Sequence, residues 1–164
     1  MTLRAATDAD LHFLTTLYAQ TRADELAMLP WPDAAKAAFA ETQFALQHRH
    51  VLTHHAEADF LVVLRRGRAI GRMYLDRGTA IWRIVDIAID VAAQGHGLGT
   101  ALLRWTQRTA RVAGAQGVDL HVARDNVRAA RLYAALGFAE AIAASATHRR
   151  MAWRAPHADQ APVS

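Results

Sequence analysis

The sequence predicts an α/β fold of the mixed, α+β kind, in which a mostly antiparallel sheet of about seven strands carries about four helices. Three observations predict it. The chain opens with a short apolar strand and then an amphipathic helix, and its middle third holds three strand-like runs at hairpin spacing. The last of these runs leads through three single-spaced glycines into a second amphipathic stretch, after which strands and helices alternate.

Taken in order, Leu3 to Ala6 reads as the first strand, and Asp8 as the cap of a helix that carries Leu11, Phe13, Leu14, Leu17 and Tyr18. Met28-Leu29-Pro30-Trp31-Pro32-Asp33 is a turn-rich stretch before a second helix through Ala38, Phe39, Phe44 and Leu46 to about His50. Phe60 to Leu64, Ile70 to Leu75 and Trp82 to Ile89 form a meander, with turns at Arg66-Gly67 and Asp76-Arg77-Gly78. In its third strand Trp82, Ile84, Asp86 and Ala88 share one face, which puts an acid inside an apolar run. The helix after Gly97 carries Leu98, Ala101, Leu102, Trp105 and Val112 and ends at Gly114 and Gly117. Val118 to Val122 is a strand, Asn126 to Leu136 a helix stopped by Gly137, and Phe138 to Ala144 and Arg149 to Trp153 are two closing strands. Residues 1–154 are expected to form one domain, and Ala155 to Ser164 a frayed tail.

Composition removes several classes of function. The 164 residues suffice for one domain with a real core, and 52% hydrophobic with 21% charged residues fits an ordinary globular chain. With no cysteine, disulfides, thiolate nucleophiles and thiolate metal sites are excluded. Neither a secretory leader nor a membrane-spanning run is legible, so the expectation is a cytoplasmic protein without membrane attachment. The net charge of +4 comes from scattered arginines with no basic block, which suits a phosphate-bearing ligand and gives no nucleic-acid recognition motif. His48, His50, His54 and His55 lie at spacings that assemble no metal site, and no metal is expected.

Most of the chemistry sits in Gln94-Gly95-His96-Gly97-Leu98-Gly99-Thr100, which joins the apolar strand to the helix. A helix start presents unbonded N–H groups and a partial positive charge, and glycines let phosphate oxygens approach them. A dinucleotide fold needs such a turn near the first strand of a βαβ unit, whereas here it follows a meander. A nucleoside-triphosphate loop needs Lys before Ser or Thr, and here Thr100-Ala101 follow Gly99. The pattern resembles the coenzyme A pyrophosphate loop of the GNAT superfamily of N-acetyltransferases. A second segment supports the resemblance, because Asn126 through Ala129 and Tyr133 to Gly137-Phe138 is similar to that superfamily's Asn-x-x-Ala-x-x-x-Tyr-x-x-x-Gly-Phe.

The resemblance spans roughly Leu3 to Trp153 and is sharp from Ile84 to Phe138. It implies a sheet splayed at the cofactor site with helices on both faces, and acetyl-CoA as co-substrate for direct transfer to a primary amine. It further implies that backbone groups of Ile87 and Ile89 hold the pantetheine arm, that an N–H of Ala88 or Ile89 polarises the thioester carbonyl, and that Gln94 to Thr100 hold the pyrophosphate. Asn126, Ala129 and Tyr133 complete the cofactor set, with the Tyr133 hydroxyl as donor to the departing thiolate. Val91 stands where this superfamily often has proline. Asp86 is the candidate base; alternatively it pairs with an arginine such as Arg72 or Arg83, or with a backbone amide, while His121 is a second possible relay. Leu29 and Trp31 are expected at the acceptor, with Asp24, Glu25 and Asp33 as nearby acids. The acceptor itself stays open between a small-molecule amine and a protein- or RNA-linked one, the assembly between monomer and homodimer. The competing reading is a non-catalytic acyl-CoA sensor.

Overall fold

The computed structural model describes residues 1–142 and 145–156. Its strands are β1 (Thr2–Ala5), β2 (Ala58–Arg65), β3 (Arg68–Asp76), β4 (Ile81–Ile89), β5 (Gly117–Ala123), β6 (Ala139–Ala141) and β7 (His148–Arg154). Its helices are α1 (Leu11–Thr21), α2 (Ala23–Ala27), α3 (Asp33–His54), α4 (Leu98–Val112) and α5 (Val127–Ala135). The seven strands lie in one sheet in the order β1-β2-β3-β4-β5-β7-β6. Pairing of β4 with β5 is parallel, while β1 with β2, β5 with β7 and β6 with β7 are antiparallel. The parallel step requires a crossover, and α4 is its helix. The chain forms two compact units, Met1–Leu75 with Asp86–His96 and Asp76–Val85 with the chain from Gly97 onward, so β4 contributes to both.

In the first unit the core gathers Leu14 and Tyr18 of α1, Phe44 of α3 and Val62 of β2. The expectation that Asp8 caps the first helix is corrected. Asp8–Asp10 forms a short 3-10 turn whose N-cap is Thr7, and Asp10 closes its capping box, its carboxylate accepting the Thr7 N–H at 2.8 Å and two bonds from the Arg4 guanidinium at 2.7 and 2.9 Å. Those bonds, Arg4 first, hold the Asp10 carboxyl down at about 2. The Arg66-Gly67 turn closes β2 on β3 with both residues at positive φ, 52° and 75°, as a two-residue hairpin of this hand requires. The five residues of α2 and the first turn of α3 extend beyond the predicted helices. Pro32 immediately precedes α3, where its fixed φ and missing N–H cost a helix nothing.

In the second unit β5 lies between β4 and β7, and period-2 alternation sorts its side chains. Val118, Leu120 and Val122 are buried on one face, and Asp119 and His121 lie on the other. The amphipathic α4 buries Leu98, Leu102, Leu103, Thr106 and Ala110, and Gln107 Nε2 donates to the Leu136 carbonyl just past α5 at 2.8 Å. Gly117, expected to end the helix, is instead the first residue of β5, where any Cβ would drive into the Trp153 carbonyl of β7. Strand β6 is shorter than expected and stops at Ala141; Ala143 and Ala144, placed in it by the sequence, lie outside the described residues. The expected tail likewise falls outside them from His157 on. Among the described residues no helix is long and apolar enough to cross a membrane.

Candidate active site

The turn after β4 is held by its own side chains. Asp90 accepts the Ala92 N–H at 3.1 Å and a bond from Gln20 Nε2 of α1, while Gln20 Oε1 accepts the Val91 N–H at 3.1 Å. Val91 at the position often held by proline therefore supplies a donor that proline lacks. Gln94 Nε2 donates to the Ile89 carbonyl at 3.0 Å, and His96 Nδ1 lies 2.9 Å from the Gln94 carbonyl. Both side chains thus brace the loop's backbone, and the ligand-facing groups left are amides.

Gly95 and Gly97 adopt φ of 79° and 75°, a region that L side chains rarely enter, and a Cβ built on either meets nothing within 4 Å. The space a side chain would take is therefore empty, and Gly97 is the residue from which α4 starts. The N–H groups of Leu98, Gly99 and Thr100 belong to the first turn of a 15-residue helix, where no intrahelical acceptor exists. This cradle fits a diphosphate by chemistry, through clustered donors, a helix N-terminus and no side chain in the way. Gly99 serves packing as well, since a Cβ there would sit 3.4 Å from Leu132 of α5.

Asp86 pairs with Arg72, whose Nε donates to Oδ2 at 2.6 Å, while Arg83 is engaged elsewhere. Arg72 is 1% exposed, with its guanidinium carbon 5.4 to 6.0 Å from the ring centres of Tyr74, Tyr18 and Phe44. Arg72 Nη1 and the Tyr74 hydroxyl are buried without a hydrogen-bond partner among the described residues, and burial pushes the Tyr74 hydroxyl above its ordinary pKa. Asp86 is therefore the counter-charge of a buried cation, whatever else it does. Asp86→Ala is expected to lower the unfolding free energy by about 3–5 kcal/mol, because it leaves Arg72 uncompensated. Urea unfolding checks this, and a loss below about 1 kcal/mol would show that the pair carries little stability.

In the second unit Tyr133 is 8% exposed, with its ring tilted against Phe138 at 6.0 Å between centres. Asn126 caps α5, its side-chain oxygen accepting the Ala129 N–H at 3.2 Å, so these two motif residues bond each other. Asp119, buried on β5, accepts Arg83 Nε and Nη2 at 2.9 and 2.8 Å and Arg150 Nε at 2.9 Å. Burial pushes its carboxyl up, but the two arginines outweigh that and hold it below its ordinary value. His121 is pushed below its ordinary pKa by burial and then by Arg83, with Arg150 and His148 adding to the effect and Asp119 opposing it. None of this triad was predicted, because its members stand 31 and 36 residues apart in sequence; the only signal was an acid alternating with valine and leucine in a strand.

Leu29 lines a cavity of about 250 Å³ in the first unit, together with Tyr18, Arg22, Leu26 and Phe39. Trp31 is outside that lining and packs edge-on against Phe39 at 5.4 Å. Glu25 reaches the cavity paired with Arg22 at 2.9 Å, whereas Asp24 and Asp33 do not line it. The histidines of α3 pack as rings. His48 stacks on Phe44 and meets Phe60 edge-on, and His50 stacks on His54 at 4.0 Å. Among the described residues no group of three or more His, Cys, Asp or Glu side chains could hold a metal ion.

Comparison with known proteins places this geometry in a family. A mycothiol acetyltransferase of Kineococcus radiotolerans is 52% identical over 56 residues, which are 34% of this chain but only 18% of that relative. Among solved structures, the PaiA N-acetyltransferase of Thermoplasma acidophilum in complex with coenzyme A superposes with a TM-score of 0.69 at 15% identity, over 93% of this chain and 98% of that one. The ribosomal-protein-S18-alanine N-acetyltransferase of Escherichia coli does so with a TM-score of 0.64 at 21% identity, over 94% and 93%. At such identities the superpositions establish the fold. The model of the acetyltransferase (GNAT) family matches residues 18–138, from α1 through the glycine turn to the end of the α5 segment, and the chain belongs to that family.

Proposed function

We propose that this chain is an N-acetyltransferase that moves the acetyl group of acetyl-CoA to a primary amine by direct attack within a ternary complex, residues 1–154 acting as one catalytic domain. The observation that carries the reading is the left-handed Gly95/Gly97 turn, which delivers unbonded N–H groups at the start of α4. In this reading Gln94 to Thr100 take the pyrophosphate, Asn126 and Ala129 belong to the coenzyme-binding set, and the pantetheine runs along Ile87 and Ile89 as an added strand. An N–H of Ala88 or Ile89 polarises the thioester carbonyl. The amine nitrogen bonds to the carbonyl carbon, the C–S bond breaks, and Tyr133 gives its hydroxyl proton to the departing thiolate before solvent restores it.

The attacking amine must lose a proton as well. With Arg72 on Oδ2, Asp86 receives it through water at its other oxygen. His121 is the second acceptor, because burial and then Arg83 favour its neutral imidazole, the form able to take a proton. Leu29 and Trp31 wall the acceptor. The relatives above are named for a ribosomal-protein alanine and for mycothiol, so acceptors on macromolecules and on small molecules are both represented.

Acetyl-CoA at about 100 times its Kd is expected to stabilise the fold by about 2.7 kcal/mol, a rise of roughly 5–11 °C in Tm. Free thiol should then be released in the presence of an amine panel. No shift at millimolar acetyl-CoA would refute the assignment, and a shift with no thiol release from any amine would reduce the chain to an acyl-CoA sensor.

A further inference from the structure

The face of β5 that carries Asp119 and His121 presents more cationic hydrogen-bonding capacity than its own residues use. Register puts Arg83 beside Asp119 across the parallel β4–β5 pair, and Arg150 opposite His121 across the antiparallel β5–β7 pair. Arg83 Nη2 and Arg150 Nε both bond to the same oxygen, Asp119 Oδ2, which sets the two guanidiniums side by side. Asp119 is 4% exposed, whereas the Arg83 and Arg150 side chains are 37% and 27% exposed. Each guanidinium has five N–H bonds. Three of the pair's bonds go to Asp119, and the rest find no acceptor among the described residues.

The charge balance has the same sense. One carboxylate is shared between two arginines, Asp76 being the weakest of the influences on Arg83, and the neighbouring His121 and His148 add no negative charge. A buried acid bracing two half-exposed guanidiniums pre-organises forked donors, and forked donors match a carboxylate or a phosphate group.

We propose that Arg83 and Arg150, braced by Asp119 beside His121, form an oxyanion site that takes the carboxylate of the acceptor, so that the acceptor is an amino acid or another amine bearing a carboxylate. This rests on the transferase reading for the word acceptor; the oxyanion site itself does not. A carboxylate docked there lies next to His121, so the amine it carries enters beside a group able to take a proton.

The test follows the His121 ring by NMR in the intact chain through a pH titration, with succinate as a probe that cannot be acetylated. Succinate is expected to raise the His121 pKa saturably by offsetting the two guanidinium charges, and Arg150→Gln should abolish that rise; Arg150→Lys, which keeps the charge and loses the fork, should weaken it. Because Arg83 still satisfies Asp119, the Arg150 variants are expected to fold, and circular dichroism checks it. In the catalytic arm, amino acids should exceed their amides in kcat/KM by at least about tenfold, equivalent to one carboxylate–arginine contact, and Arg150→Gln should remove that preference. No succinate effect, or an effect of inorganic phosphate with none of succinate, overturns the carboxylate assignment. Equal use of acids and amides by an enzyme that binds acetyl-CoA overturns this inference and leaves the transferase reading standing. Succinate binding in a chain that fails to bind acetyl-CoA instead overturns the transferase reading, and with it the acceptor assignment.

Discussion

Tyr133→Phe is expected to lower kcat by about 10²- to 10⁴-fold while moving acetyl-CoA affinity by less than about twofold. The substitution removes one oxygen and keeps the ring, which matters because the ring is 8% exposed and packs against Phe138. Tertiary packing is therefore retained, and the two outcomes separate cleanly. In the proposed role the hydroxyl is needed only as the thiolate departs, so its loss falls on turnover and leaves ground-state binding alone. If the residue were simply a packing element at the α5 terminus, kcat would be nearly unchanged. If its hydroxyl held the coenzyme, affinity would fall together with turnover. Single-turnover kinetics with thiol detection, alongside equilibrium binding of acetyl-CoA, distinguish the three. A rate within about threefold of the parent would remove Tyr133 from the chemistry.

The strands, their order along the chain and the glycine turn were legible because each follows from local rules. Apolar runs bounded by turn residues at hairpin spacing mark β3 and β4, a two-residue turn joins β2 to β3, and glycines in a turn announce positive φ. The helical ends were read less well. Asp33 to Ala37 has helix-forming residues but no apolar stripe, so periodicity first becomes visible at Ala38, although α3 begins at Asp33. The five residues of α2 are shorter than any window over which such a pattern can be read. Least legible was what depends on strand neighbours. Asp86 in an apolar run was conspicuous and Arg72 and Arg83 were both candidates for its partner, and the fold decides for Arg72, at 2.6 Å. Asp119 lies in a strand legible from the sequence, but its burial between Arg83 and Arg150 arises from two strands that meet β5 from opposite sides.

Gly97→Val is expected to abolish measurable acetyl-CoA binding while costing the free chain only about 1–2 kcal/mol, the penalty for an L residue in the left-handed region. That cost corresponds to roughly 2–8 °C in Tm for a chain of this size. The stability loss stays modest because a Cβ at Gly97 meets no atom within 4 Å; the strain is in the backbone alone. Binding should suffer far more, because in the proposed reading the diphosphate approaches the first N–H groups of α4 through this same empty space, and a branched side chain fills it. Gly67 provides the control. It has the same φ of 75° and equally open surroundings, but it sits in the β2–β3 hairpin turn. Gly67→Val should therefore reproduce the loss of stability and leave acetyl-CoA affinity intact. Gly97→Asn, in which the side chain tolerates this φ, should recover most of the stability without recovering the affinity. Calorimetric titration of the three variants decides the matter. Should Gly97→Val bind acetyl-CoA within about threefold of the parent, a diphosphate cannot occupy the cradle, since about 0.6 kcal/mol is far less than the loss of several charge-assisted hydrogen bonds.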